Sequence, residues 1–355
     1  MILAVKIAIA VLFVLNLAGL LTWAERRQSA FMQDRLGPNR ANVFGVTLIG
    51  LLHPVADGIK MMMKEDFVPA GADRIVHTLA PFIALFPAFV AFAVIPFGDR
   101  LPIFGYEVNL VVSEINVGLL FVVAVMSLAI FGVFLGGWAS NNKWSLLGAL
   151  RSAAQMISYE VTLGLTIIGV LMVYQSLRLD EIVRAQGDLL FGFIPKWGIV
   201  TQPLGFLLFF AAAMAETKRT PFDLPEGESE IVAGYFLEYS GMKWGMFFMG
   251  EFAEIVVIAG VVTSLFLGGW QIPWVSTAAL LSVFPGWLVA LIQIGVFSVK
   301  VVILCWLQLT VRWTLPRFRY DQLMRLGWKM LLPISLANIF VTGAVILLIQ
   351  HFKGV

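Results

Sequence analysis

The sequence is short of the residues that hold cofactors and short of charge. Of 355 residues, one is cysteine and three are histidine. A single thiol, Cys305, excludes a disulfide framework and any iron–sulfur cluster held by this chain alone. It sits between Leu304 and Trp306 in an apolar run, where a packed, inert thiol is expected. His53, His77 and His351 are far apart and match no metal-ligand spacing, so no metal site is expected. Electrons for any redox chemistry would have to arrive from a partner. Charged residues make up only 13% of the chain, about half the share usual in a soluble domain. A nucleotide-binding glycine loop and a nucleophile triad are both missing. These shortages exclude a disordered chain, a nucleic-acid-binding arm and an ordinary soluble enzyme.

What is present is apolar. Hydrophobic residues are 60% of the chain, and the mean hydropathy is +0.90. An integral membrane protein follows, with the lipid bilayer as its solvent. The net charge of +2 is a near-cancellation of 24 cations and 22 anions, so their positions carry the information.

Charge-free stretches occupy residues 7–24, 75–98, 115–142, 161–177, 197–215 and 330–352. Each is long enough to cross the hydrocarbon core as a helix. A further stretch, 255–299, is 45 residues long and contains Gly268-Gly269-Trp270-Gln271-Ile272-Pro273, which reads as a turn between two spans. The pattern predicts an all-α membrane protein of eight transmembrane helices in one polytopic domain over 1–355. The helices are expected near 3–25, 75–97, 114–137, 152–174, 198–217, 246–268, 277–311 and 329–351. Membrane strands would alternate in polarity, and these blocks are apolar all round. The first span is too long for a signal-peptide core and ends in Glu25-Arg26-Arg27 rather than a cleavage site.

Cations set the orientation. The loops after the odd spans carry 17 of them and the opposite side 6. The odd loops are therefore expected in the cytoplasm or matrix, and both termini on the periplasmic or intermembrane side. Lys300 is left over within the seventh span. No internal repeat is visible, so the inverted-repeat plan of many transporters has no support. Pro81, Pro87 and Pro96 should kink the second span. Residues 45–65 place Leu48, Leu51, Leu52, Val55, Ile59 and Met62 at helical spacing, opposite Asp57, Lys60 and Lys64. An interfacial amphipathic helix lying flat is the natural reading, and a short helix packed on protein is the alternative. Met61-Met62-Met63 would suit a soft apolar portal.

Acids stand where a membrane makes them expensive. Glu25 ends the first span, Glu114 begins the third, Glu160 begins the fourth and Glu216 ends the fifth. Glu251 and Glu254 share one face near the start of the sixth. A charge at mid-membrane costs about 2.5–3.5 kcal/mol on insertion scales, so such groups turn inward to cations, to water or to each other. Taken one at a time they could be helix-end charges reaching the interface. As a set with Lys300 they suggest a proton relay, an ion path or a substrate counter-ion. Arg151, Gln155 and Tyr159 form a polar stripe at the head of the fourth span, which could equally be an interfacial snorkel. The densest segment is 216–230, with five acids, two bases and two prolines. Arg312-Trp313-Thr314-Leu315-Pro316-Arg317-Phe318-Arg319-Tyr320-Asp321 offers cations to those acids, to a docked partner or simply to the cytoplasmic surface.

Four blocks resemble a known family, the H-type membrane subunit of bacterial NADH–quinone oxidoreductase (respiratory complex I), equivalent to mitochondrial NADH dehydrogenase subunit 1. The first is Ala24-Glu25-Arg26-Arg27 with Asp34 to Arg40, then Asp57, Lys60 and Lys64-Glu65. The second runs from Gly137 through Arg151 and Gln155 to Tyr159-Glu160. The third is Ala215 to Glu230, continuing to Gly234-Tyr235 and Glu238-Tyr239-Ser240, and the fourth is Arg312 to Asp321. They follow the family's order along the whole chain. Trp144 departs from it, standing where an aromatic residue, often tyrosine, is usual.

The resemblance implies a subunit of the proton-translocating enzyme with quinone as substrate. NADH, FMN and the iron–sulfur clusters would sit on partner subunits. It implies a quinone chamber with Glu25, Arg26, Asp57, Asp223, Glu226 and Glu228 near it, and a proton relay of Glu114, Glu160, Glu216, Glu251 and Glu254. Arg151, Tyr159, Arg219, Glu230, Lys300, Arg312, Arg317 and Arg319 would support them. Expected partners are the 49-kDa-like and PSST-like subunits of the peripheral arm and small membrane subunits. The expected location is the bacterial inner membrane, or the mitochondrial one if organellar. The related membrane subunit of an energy-converting hydrogenase is the alternative. A stand-alone proton-coupled carrier and a purely structural anchor fit less well.

Overall fold

The computed structural model describes residues 2–103, 106–190, 192–225 and 227–353; Glu226 and the side chain of Glu228 lie outside the described residues. The described residues are mostly helical. α1 is Ile2–Met32, and α2 is the short helix His53–Met63, entered through a turn at Leu48–Gly50. α3 is Arg74–Phe92, capped by Asp73, whose carboxylate accepts from the Ile75 and Val76 amides. α4 is Gly118–Ala139. α5 is Lys143–Tyr174, capped by the Asn142 side chain on the Trp144 amide. α6 is Leu179–Ala185, α7 is Pro203–Glu216, α8 is Gly241–Phe266 and α9 is Gly286–Thr314. α10 is Tyr320–Phe352. Its turn at Leu326–Leu331 is a π-helix, just ahead of Pro333, where the wider turn absorbs a residue that cannot donate. The little sheet among the described residues is two short hairpins, Arg100–Ile103 with Tyr106–Asn109 and Leu189–Leu190 with Ile194–Pro195.

Among the described residues, seven helices are long and apolar enough to cross a membrane: α1, α3, α4, α5, α8, α9 and α10. α7 is apolar but has only 14 residues, which is about 21 Å at the helical rise. A single turn at Gly198–Thr201 precedes it. α8 is the hub, with 83% of its most apolar window buried, against 17% in α1 and in α10. α3 and α4 pack tightly because Gly132 faces Ala84. A Cβ on Gly132 would collide with the Ala84 backbone nitrogen.

Several boundaries move from those expected. α3 ends at Phe92, so Pro96 lies beyond the helix while Pro81 and Pro87 stay inside it. α5 begins at Lys143 rather than near 152, and α4 begins at Gly118 rather than 114. The expected 277–311 helix is broken before Pro285 into Thr277–Val283 and α9, as the restricted residue ahead of a proline favours. The amphipathic segment is helical only over 53–63, apart from the turn at its entry. Val55, Ile59 and Met62 project outward there and stay exposed.

Candidate functional site

Two features face each other across α1 and α8: a buried chain of paired charges and a polar, aromatic mouth. The chain begins at Glu25, near the end of α1. Both of its carboxylate oxygens are engaged. Arg219 donates Nη1 to Oε2 at 3.0 Å, and Arg312 Nη1 donates to Oε1. One glutamate thus ties α1, the segment after α7 and the end of α9 together. The Arg219 guanidinium reaches on to Glu251 of α8, Nη2 to Oε2 at 3.5 Å, and lies 4.1 Å from the Phe252 ring centre. Tyr235 donates its hydroxyl to the other Glu251 oxygen at 3.0 Å. Lys218 meets Glu254 at 3.5 Å, with the two side chains 2% and 3% exposed. Glu254 is three positions after Glu251, so both face the same seam. Charges this deep persist only when paired and hydrogen-bonded.

The backbone that delivers Lys218 and Arg219 is held from α5. Gln155 donates Nε2 to the carbonyls of Ala215 and Phe222, both at 2.7 Å. Tyr159 donates to the Leu323 carbonyl at 2.9 Å and packs edge-on against Phe222. Arg317 pairs with Asp223 at 2.7 Å. Burial raises the Asp223 carboxyl pKa, against the opposing pull of Arg317. Arg151 reaches Glu230 at 2.6 Å.

Beyond Glu254 the path narrows. Glu160 lies mid-way along α5 rather than at its head, and Ser127 of α4 donates to its Oε1. Glu160 and Glu216 line a common cavity of about 30 Å³ with Met126, Phe209 and Val257. That is room for two or three waters at about 10–15 Å³ each, and the two carboxyls supply polar partners in otherwise apolar walls.

Three expected members stand apart. Glu114 lies ahead of α4, accepts from Asn109 Nδ2 and sits 3.7 Å from Arg178. It is at the far end of α4 from the Asn142 elbow, and the structure does not bring it to the other four acids. Lys300 pairs with carbonyls rather than acids. Its ammonium donates to those of Leu267, Gly269 and Gln271 at 2.7, 2.9 and 2.7 Å. These are the orphan carbonyls after the C-terminus of α8, and Lys300 caps them. Arg319 is exposed, its backbone amide donating to Gln322.

The mouth lies beside α2. Arg26 and Asp57 pair at 2.6 Å, with Lys60 at 3.8 Å from the same carboxylate. They line a cavity of about 340 Å³ with Tyr239, Trp244 and Phe248. Tyr239 stacks face to face on buried His77, ring centres 4.0 Å apart. Burial drives the Tyr239 phenol pKa up. A second, apolar cavity of about 300 Å³ adjoins the first and shares Asp57, Met61 and Phe248 with it. Phe248 also stands 6.0 Å from the Arg219 guanidinium, so the mouth abuts the charge chain.

Sequence reasoning passed over Ser127, Tyr235 and Lys218 as site residues. Ser127 had a signal, a lone hydroxyl in an apolar run. Which acid it meets depends on how α4 and α5 pack.

A family model described as NADH dehydrogenase matches residues 5–343. The chain is 49% identical over 343 residues to an H-type protein of NADH-quinone oxidoreductase from Geobacter metallireducens, covering 97% of this chain and 96% of that protein. It is 49% identical over 344 residues to an H-type protein of the same enzyme from Geobacter sulfurreducens, with the same coverage. It is 46% identical over 340 residues to the corresponding protein of Rhizobium meliloti, covering 96% of each.

Proposed function

We propose a function from one premise: the chain belongs to the NADH dehydrogenase family, alongside the H-type membrane proteins of NADH–quinone oxidoreductase. Our reading is that it forms the membrane wall of a quinone chamber and couples quinone reduction to proton translocation through buried glutamates. The observation that carries it is the unbroken run from the mouth to the membrane interior. Phe248 borders both the mouth and Arg219. Arg219 joins Glu25 to Glu251, and Lys218–Glu254 lies one helical turn on. Glu216 and Glu160 then share one small cavity.

In this reading the quinone headgroup enters past α2 and the methionine-lined cavity and meets Arg26 and Asp57. Asp223, with Glu226 and Glu228 of the same sequence block, is assigned to the chamber on the family resemblance. A change of charge or protonation there alters the pairing of Arg219 between Glu25 and Glu251. The change passes to Glu254 because Lys218 is the next residue along the same backbone. Protons then redistribute over Glu254, Glu216 and Glu160 by way of water in the cavity. Glu114, paired near Arg178 at the other end of α4, stands outside this exchange. Lys300 fixes the end of α8 and carries no proton in this scheme.

In the same reading NADH, FMN and the iron–sulfur clusters sit on partner subunits, and the 49-kDa-like and PSST-like subunits are the ones that close the chamber against this chain. The single thiol, Cys305, is buried within α9, which leaves this chain no set of thiolates to hold a cluster. α7 with its preceding turn is counted as a short eighth crossing of a bacterial inner membrane. The cation-rich odd loops face the cytoplasm.

The test is Glu216→Gln in the assembled enzyme, reading NADH–quinone turnover together with proton pumping in proteoliposomes. Loss of pumping, with or without loss of turnover, is expected. Wild-type values for both would remove Glu216 from the path and, with it, the relay.

A further inference from the structure

We propose that residues 274–287, with Phe193 beside them, lie at the boundary of headgroups and hydrocarbon in the leaflet remote from the mouth, and anchor that end of the bundle in lipid. This goes beyond the proposed relay and rests only on the membrane placement of α8 and α9. The segment joins the C-terminal end of α8 to the start of α9, so it stands at the opposite end of those helices from Phe248 and Arg312.

Exposure without charge points to it first. Residues 255–299 contain no charged side chain. Within them the short helix Thr277–Val283 has no buried residue. Trp274, Leu281, Val283, Phe284 and Trp287 are all exposed. Contiguous apolar surface of this kind is rarely left in water. Phe193 joins it: its ring is exposed, and its carbonyl accepts the Trp274 indole N–H at 2.9 Å. The connector between α3 and α4, at the same end of the bundle, contrasts with it. There Asp99 pairs with Arg184, and Arg100 with Glu107, as suits a surface that faces water.

Depth agrees. Trp287 and Trp313 stand near the two ends of α9, both exposed. At the helical rise of about 1.5 Å per residue they are about 39 Å apart along the axis. A bilayer with its headgroups is roughly 40–45 Å thick, and tryptophan favours its two interfaces. Trp313 lies beside Arg312 at the mouth side. Trp287 therefore falls at the far interface, and 274–287 with it.

The polar groups agree as well. Ser276 Oγ accepts from the Ala279 amide at 3.2 Å, and Ser282 Oγ donates to the Ala279 carbonyl at 2.8 Å. With the Trp274 indole, these groups are satisfied inside the protein, as a layer poor in water requires. A neighbouring subunit is the other possible cover. A protein partner covers one face of a short helix, whereas lipid can surround a helix that is exposed on every side, as this one is.

The experiment places a benzoylphenylalanine photoprobe at Phe193, at Leu281 or, as a water-facing control, at Glu107, in the whole complex in phosphatidylcholine nanodiscs. Products are mapped by peptide mass spectrometry. Aromatic replacement at exposed Phe193 is conservative, so poor assembly with the probe at Leu281 still leaves a reading. Phosphatidylcholine adducts are expected at Phe193 and Leu281 and not at Glu107. The same yield is expected in phosphatidylglycerol nanodiscs, because the segment carries no charge to sort headgroups. Crosslinks to another subunit in place of lipid would overturn the proposal and make this face a protein interface. Lipid adducts no more frequent than at Glu107 would overturn it in favour of water, and so would adducts that form only with phosphatidylglycerol, in favour of a headgroup site. The labelling does not involve turnover, so failure of the relay, read in Glu216→Gln pumping, remains separately visible.

Discussion

Glu25 and Arg219 are 194 positions apart in sequence, yet they meet at 3.0 Å with both side chains largely out of solvent. The contact joins the C-terminal half of the first helix to the segment after α7, and Arg219 carries it on to Glu251. A cation shared by two acids from different helices has two arrangements available to it. Neutralising either acid frees the arginine for the other. In the proposed relay, Arg219 would be the point at which events at the mouth change the field inside α8.

Removing Arg219 should therefore be worse than removing an ordinary surface charge. Arg219→Ala strands Glu25 and Glu251 without this partner, and breaking a buried pair costs about 3–5 kcal/mol. The thermal midpoint of the complex, or the amount of subunit incorporated, should drop clearly. Arg219→Lys should recover part of it. An Arg219→Ala complex as stable as wild type would mean the pairs contribute nothing.

Ser127 tests whether Glu160 is positioned from α4. A side-chain hydrogen bond is worth about 0.5–1.5 kcal/mol. Ser127→Ala should therefore lower the ratio of protons pumped to quinone reduced, while Ser127→Thr should largely restore it. An identical ratio for wild type and Ser127→Ala would show that this contact does not position Glu160.

Lys300 should matter for stability and not for coupling. Lys300→Met leaves three carbonyls after α8 without their donor. Each unsatisfied buried polar group costs about 1–3 kcal/mol. A lowered thermal midpoint is expected, with a normal ratio of protons pumped to quinone reduced in the enzyme that assembles. A changed ratio at normal stability would bring Lys300 into the relay.

At the mouth, Arg26→Ala should raise the apparent quinone KM or lower turnover, with assembly intact. The loss of its 2.6 Å pair to Asp57 is the direct cause. Unchanged steady-state kinetics in proteoliposomes would take Arg26 out of the chamber.

Close packing gives a further check. Gly132→Val would drive a side chain into the backbone of α3 at Ala84, and overpacking costs about 1–3 kcal/mol or more. Assembly should fail or be strongly temperature-sensitive, whereas Gly19→Ala, which points into open space, should be tolerated. Equal assembly of the two would mean that α3 and α4 can separate at little cost.

The apolar blocks by themselves determined the helical membrane fold, because a charge-free run of span length has few other stable states. The acid-rich segment, the cation-rich loops and the amphipathic segment beside the first span were legible in the same way, as departures from an apolar background. Their pairing was not. Glu114 and Glu160 look alike in sequence, each an acid beside an apolar run. Packing sends one to the Arg178 surface and sets the other against Ser127 inside the bundle. Lys300 looked like a partner for the glutamates and instead caps α8, since an ammonium satisfies three carbonyls as well as it does a carboxylate. Helix ends moved where a proline or a capping side chain outweighed the hydropathy. Residue type alone decides which groups must leave the lipid, because transfer cost is a property of each group. Only the tertiary structure decides which partner each one finds, because that depends on the rotation and depth of helices far apart in the chain.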